Sequence, residues 1–168
     1  PEYDNKAEMV LVDDMNNTYH ITEPVISKSD SEDYHTVFNN TIMLNVSRGC
    51  TRGCRFCMAG YLYRPMRETD YQKLVDIAIA TRQKTGLNKI TLIGAAVSVY
   101  SQLDRLTESL EGEGFQISTP SLRIESITHN TLETLKRSGL KTITLAPESI
   151  EKLRKVVNKD LLDEQIIA

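Results

Sequence analysis

The sequence predicts an α/β fold in which about four strand–helix units wind an incomplete parallel (βα) barrel. Two observations carry that expectation. Apolar runs of strand length recur at 41–46, 89–95, 115–118 (running on to 121–123) and 142–146, each followed by apolar residues at helical spacing. The connections between them are compact, as parallel strands joined by right-handed crossovers require. A doubly wound open sheet is the rival arrangement. In both, ligands bind beyond the carboxyl ends of the strands, so the loop after the first strand lies at the functional end.

Each element follows from local pattern. Residues 1–40 carry nine acids against Lys6 and Lys28. There, 9–12 and 18–21 are expected to pair as a short hairpin about the turn 13–17, with Pro24 and the polar run 27–33 as a linker. The first strand, 41–46, leads directly into 47–65. A helix from about Asp70 follows, with Thr69 and Gln72 at capping-box spacing, Tyr71, Leu74, Val75 and Ala78 on one face, and Gly86 as a left-handed cap. After the second strand, Leu103, Leu106 and Leu110 mark a helix running to Gly112. Asn130 and Glu133 are expected to box the next helix, which packs Leu132 and Leu135 and stops at Gly139. After the fourth strand a short helix carries Ile150, Leu153 and Val157, and another begins near Leu161.

At 168 residues, 40% hydrophobic and 26% charged, the chain is long enough to bury one core and ordinary for a globular domain. It contains no run of 18 apolar residues, so no membrane span is expected. It starts at Pro1 without a visible secretory signal and stops inside a helical pattern, so we expect an excised piece of a longer protein. Three cysteines, an odd number, argue against a disulfide framework and for a reducing compartment, and cytoplasm is expected.

The segment 47–65 reads SRGCTRGCRFCMAGYLYRP and holds all three cysteines, Cys50, Cys54 and Cys57, at C-x3-C-x2-C spacing. Three thiols within eight residues mark a metal site. Structural zinc takes four ligands, and His20, His35 and His129 are distant in sequence, while a catalytic zinc on three thiolates of one tight loop would be an unusual form. A [4Fe–4S] cluster held by three cysteines keeps one iron open to a small molecule. Residues 48–67 add five arginines and no acid. That charge would balance an anionic metal–thiolate centre and a ligand carboxylate, with nucleic acid as the less favoured partner.

The cysteine motif, placed after the first strand of a βα barrel, resembles the signature of the radical S-adenosylmethionine (SAM) superfamily. With LIGAAVSVY, PSLRIES and TITLAPES, it looks like the branch often found beside cobalamin-binding domains. The resemblance implies that 41–168 is the truncated N-terminal portion of a partial TIM-type barrel, with 1–40 as an acidic extension. It implies a [4Fe–4S] cluster on Cys50, Cys54 and Cys57 that reductively cleaves SAM to a 5′-deoxyadenosyl radical, which abstracts hydrogen from an unidentified substrate. It also implies an electron donor of flavodoxin or ferredoxin type, and cobalamin in a longer protein.

Position by position, the resemblance places the backbone of Phe56 near the adenine and Gly94-Ala95-Ala96 against the methionine amino group. Glu148 falls where a polar residue meets the ribose, and Arg123 is a candidate partner of the SAM carboxylate. No catalytic residue is assigned. The chain departs from the pattern at Val99, where an acid is expected, and at Ser149-Ile150, where a glycine is. Each residue also has a plainer reading: Phe56 as a core aromatic, Gly94 as a point of close backbone approach, Glu148 as a helix N-terminal acid and Arg123 as an ion-pairing residue. A second function is an iron–sulfur or zinc binding module that docks RNA or a protein partner, with Tyr61 or Tyr63 stacking beside Arg64 and Arg67.

Overall fold

Strand β1 (Ile42–Asn45) alternates buried Ile42 and Leu44 with exposed Met43, so one face of the sheet is apolar from its first strand. The computed structural model describes residues 10–26, 40–159 and 161–167. In it β1 runs parallel to β4 (Lys89–Ile93), with Ile42 opposite Ile90 and Leu44 opposite Leu92. The other edge of β4 pairs in parallel with β5 (Gln116–Ser118). Ile90, Thr91 and Leu92 are buried in succession, as a central strand covered on both faces requires.

The order β1-β4-β5 steps in one direction along the chain. A barrel winds that way, and so does one half of a doubly wound sheet; the parallel bridge from Leu122 to Leu145 carries the same direction one segment further, as a barrel does. The fourth strand is shorter than the apolar run at 142–146 predicts. Its sheet contact is a single parallel bridge from Leu122 to Leu145, in which the Leu122 N–H donates to the Thr144 carbonyl (2.9 Å). Leu145 stays 44% exposed, and among the described residues nothing pairs with the outer edge of this segment. An edge with one pairing partner gains half the ladder of a central strand.

Helices α2 (Tyr71–Thr85), α3 (Leu103–Gly112) and α4 (His129–Arg137) cover the apolar face, with α3 packed between the other two. Leu74, Ala78, Leu106, Leu110 and Leu135 join Ile42, Leu44, Ile90 and Leu92 in one core. Gly86 ends α2 with φ of 73°, its N–H donating to the Arg82 carbonyl (2.8 Å). The two expected capping boxes do not form. Thr69 instead donates its hydroxyl to the Asn45 carbonyl at the end of β1, so Asp70 caps α2 through the Gln72 N–H (2.9 Å). Asn130 donates to Glu108, and Thr128 caps α4 through the Thr131 N–H (3.0 Å).

The expected hairpin is absent from the described part of 9–21, of which Met9 lies outside. A single 3-10 turn, Met15–Asn17, stands there, capped by Asp14. Two carbonyls of the expected strands are engaged elsewhere, that of Val12 by Arg67 and that of Thr18 by Lys73, while Asn16 in the expected turn accepts from Lys73 on its carbonyl and from the Asp70 N–H on its side chain. The last helices also depart from the pattern. In α5 (Glu151–Val156), Leu153 is half-exposed and Arg154 is buried, its guanidinium held by the Leu161 and Ser149 carbonyls and by Asp163 at the start of α6 (Asp163–Ile167).

Candidate functional site

The cysteine loop is clamped at its base before its side chains matter. Strand β2 (Ser47–Arg48) pairs antiparallel with β3 (Arg67–Glu68), and the Thr69 N–H donates to the Val46 carbonyl (3.0 Å). Inside this neck the Cys57 N–H donates to the Cys54 carbonyl (3.0 Å), leading to the short helix α1 (Ala59–Leu62). On the far side the Arg55 N–H donates to the Val157 carbonyl (2.9 Å), and Asn158 donates its amide to the Gly53 carbonyl (2.9 Å). The loop is thus pinned both to β1 and to the chain after α5.

Cys50, Cys54 and Cys57 line one cavity of about 290 Å³ beyond the carboxyl ends of the strands. Cys50 and Cys54 are buried and Cys57 is partly exposed, and all three are free thiols. The same walls carry Phe56, Ala95, Ala96, Arg123 and Glu148, so the fold brings together eight of the nine sequence-predicted site residues. Gly94 is the exception. A Cβ there would lie 3.0 Å from Ser47 Oγ and 3.3 Å from the Ser47 carbonyl oxygen, which makes it a point of close approach between β4 and β2.

Phe56 is 55% exposed and is not a core aromatic. Glu148 lies ahead of the Ile150 cap of α5 and does not act as a helix N-terminal acid. It adopts φ of 72°, a region non-glycine residues seldom enter, and its carboxylate accepts from Lys159 Nζ at 2.9 Å. Lys159 is buried, also donates to the Ala146 carbonyl, and lines the cavity itself. Sequence reasoning missed it, because an isolated lysine after a helical pattern carries no signal that it folds back 11 residues onto Glu148.

Arg123 does ion-pair, and it also faces the cavity. Its Nε donates to Glu125 Oε1 (2.7 Å) and its Nη2 pairs with the same oxygen, while Nη1 lies 3.8 Å from Cys54 Sγ. Burial works against the guanidinium charge, but the Glu125 carboxylate and the Cys54 sulfur outweigh it and raise the Arg123 pKa above its ordinary value. The Cys50 sulfur accepts from the Arg52 backbone N–H at 3.4 Å.

The donor set fits an iron–sulfur cluster. Three thiols share a cavity, N–H groups point at two of the sulfurs, and among the described residues no histidine lines the walls to complete a structural zinc site. Among the described residues no three His, Cys, Asp or Glu side chains converge on one ion position. A cluster does not need such convergence, since each thiolate ligates a different iron.

The loop arginines bear on the nucleic-acid reading. Arg64 donates to the Arg52 carbonyl (2.6 Å) and lies over the Tyr61 ring. Arg67 reaches the carbonyls of Val12, Pro65 and Tyr63, and Arg55 reaches that of Val156. These heads staple the loop and its neighbours. A larger cavity of about 570 Å³ lies between 10–21, β1 and the outer side of the loop, lined by Val12, Met15, Tyr19, Met43 and Tyr63. No thiol lines it, and the three cysteines share the smaller cavity.

The sequence profile of the radical SAM superfamily matches residues 44–168. An uncharacterized protein of Methanocaldococcus jannaschii is 33% identical over 130 residues, 77% of this chain and 29% of that protein. Among solved structures, the fold is similar to the cobalamin-dependent S-adenosylmethionine radical enzyme OxsB, with aqua-cobalamin and S-adenosylmethionine bound. That match has a TM-score of 0.59 at 18% identity and covers 76% of this chain and 21% of OxsB. It is also similar to the radical S-adenosylmethionine methyltransferase TsrM of Kitasatospora setae, with cobalamin and a [4Fe-4S] cluster bound. There the TM-score is 0.61 at 9% identity, over 75% of this chain and 25% of TsrM. The chain thus spans between a fifth and a third of each of these proteins. Together with the cysteine cavity at the barrel mouth, the profile match places the chain in the radical SAM superfamily, an enzyme family that works with a [4Fe–4S] cluster and S-adenosylmethionine.

Proposed function

We propose that Cys50, Cys54 and Cys57 ligate a [4Fe–4S] cluster whose open iron takes SAM, and that the protein uses the pair for radical chemistry on a substrate still to be identified. The observation that carries this reading is the shared cavity: three thiols, Arg123, Glu148 and the Ala95-Ala96 backbone on one set of walls. The chemistry supplied when cluster and SAM are bound is one-electron cleavage of SAM and hydrogen abstraction by the resulting 5′-deoxyadenosyl radical.

The chain's own residues bind and orient. Three thiolates hold three irons, and the Ala95-Ala96 backbone offers polar groups to the methionine amino group. Glu148, steadied by Lys159, meets the ribose, and the backbone of Phe56 lies near the adenine. Gly94 contributes by letting β4 approach Ser47 closely enough to set the position of Ala95. Burial of Cys50 and Cys54 limits the access of water to those two thiolates. A flavodoxin- or ferredoxin-like electron donor, cobalamin as a further cofactor and a cytoplasmic setting complete the proposal, with 41–168 as the N-terminal portion of the barrel and 1–40 as an extension. No helix among the described residues is long and apolar enough to cross a membrane.

Anaerobic reconstitution tests it. The expected result is about four irons and four sulfides per chain, a reduced-state EPR signal that SAM alters, and loss of both in Cys54→Ala. A stable, colourless zinc protein would overturn the reading. Retention of RNA by cluster-free protein would favour the docking module instead.

A further inference from the structure

Arg123 is built to address a sulfur. Its backbone N–H donates to Ser98 Oγ at 2.9 Å, which fixes the point from which the side chain leaves. Glu125 then takes Nε and Nη2 on one carboxylate oxygen and locks the plane of the guanidinium. What remains is Nη1, 3.8 Å from Cys54 Sγ and within hydrogen-bond reach of sulfur. The Arg123 and Glu125 side chains are only 16% and 11% exposed, so little solvent screens this donor.

The three sulfurs are treated unequally. Cys50 accepts from a backbone N–H, that of Arg52, and Cys54 accepts from the Arg123 side chain. Cys57 receives no donor among the described residues. Cys54 is therefore the one ligand whose donor the chain supplies through a charged side chain.

We propose that Arg123 is a positioning residue that raises the reduction potential of the cluster through its hydrogen bond to Cys54, held on target by Glu125. The inference rests on the cluster reading above. Reduction adds one electron and makes the cluster–thiolate unit more negative. An N–H donor and a positive charge at a ligating sulfur stabilise that reduced state more than the oxidised one. The same Nη1 is thereby committed to the sulfur rather than to a ligand carboxylate.

The experiment is a dithionite titration of the anaerobically reconstituted protein, followed by EPR with no SAM present, so that a contact to the SAM carboxylate contributes nothing. Iron and sulfide are counted in every sample. At wild-type cluster content, Arg123→Met is expected to show a roughly tenfold lower ratio of reduced to oxidised cluster at fixed potential, about 59 mV for a one-electron couple. Arg123→Lys, which keeps the charge, is expected to recover part of that shift. An unchanged midpoint in Arg123→Met at full cluster content overturns the inference and leaves the cluster reading standing. Wild-type protein that takes up no iron overturns both. Should Arg123→Met fail to assemble the cluster, Arg123→Gln decides. This neutral polar side chain removes the guanidinium charge, so its midpoint is expected below wild type, and a value at or above wild type overturns the proposal.

Discussion

Gly49 and Tyr63 meet so closely that a Cβ on Gly49 would lie 2.3 Å from the Tyr63 carbonyl oxygen and 2.7 Å from that of Pro65. Gly49 also holds φ of 85°, a conformation that side chains resist. This contact closes the neck of the cysteine loop one residue before Cys50, so backbone packing sets where the first thiol begins. Gly49→Ala is expected to cost about 1–3 kcal/mol from strain alone, with more where the neck must part. Urea denaturation of the reconstituted protein, with iron content measured alongside, checks this. A variant with wild-type midpoint and iron content would mean that the neck relaxes without consequence.

Lys159 holds Glu148 across the cavity wall. Replacing it with methionine leaves the carboxylate and the Ala146 carbonyl without this donor. Lys159→Met is therefore expected to weaken SAM binding by roughly tenfold, the size of one charge-assisted hydrogen bond. Cluster content should not change. Calorimetric titration with SAM reads the effect, and equal affinity in the two proteins would remove Glu148 from the binding site.

Tyr100 ties the start of α3 to β3. Its buried hydroxyl donates to the Thr69 carbonyl at 2.7 Å, and burial, then the charges of Glu68 and Asp70, raise its pKa above the ordinary phenol value. The folded chain keeps this proton to a higher pH than the unfolded chain, whose tyrosines titrate near about pH 10. The contribution is fully present below that value and falls away as pH rises beyond it, because the unfolded state then binds fewer protons. Tyr100→Phe should lose about 1 kcal/mol at neutral pH yet show a flatter decline in alkali. Urea midpoints for both proteins across neutral and alkaline pH measure the two slopes, and parallel slopes would contradict the assignment.

Leu106 is fully buried where α3 meets the sheet and its neighbouring helices. Leu106→Ala is expected to destabilise the fold by about 2–5 kcal/mol through lost apolar contact and the cavity left behind. Chemical denaturation gives the value directly. A loss well under 1 kcal/mol would show that the core repacks around the gap.

Legibility in the sequence follows the range of the interaction. Strands β1, β4 and β5, helices α2 to α4 and the Gly86 cap were readable because periodicity and glycine conformation are local properties. The failures were equally physical. Thr69 and Asn130 had the spacing of caps, but each found a partner from another element, the Asn45 carbonyl and Glu108. The segment 9–21 had the alternation of a hairpin, yet its backbone carbonyls met Arg67 and Lys73 and its Asn16 side chain met the Asp70 N–H instead. The apolar positions of α5 matched a helix face, while the burial went to Arg154, whose charge three groups could satisfy.

By itself, then, the sequence determined the strand–helix repeat, the three thiols in eight residues and their place just after the first strand, since spacing along one short segment needs no distant partner. Only the tertiary structure decided that the strands step in one direction around a barrel and that Gly94 packs closely against Ser47 of β2. It alone brought Lys159 to Glu148, and Arg123 to Cys54 across 69 positions of chain. Such pairs depend on how packed elements dock, and docking is settled by burial of the shared core, which no local pattern encodes.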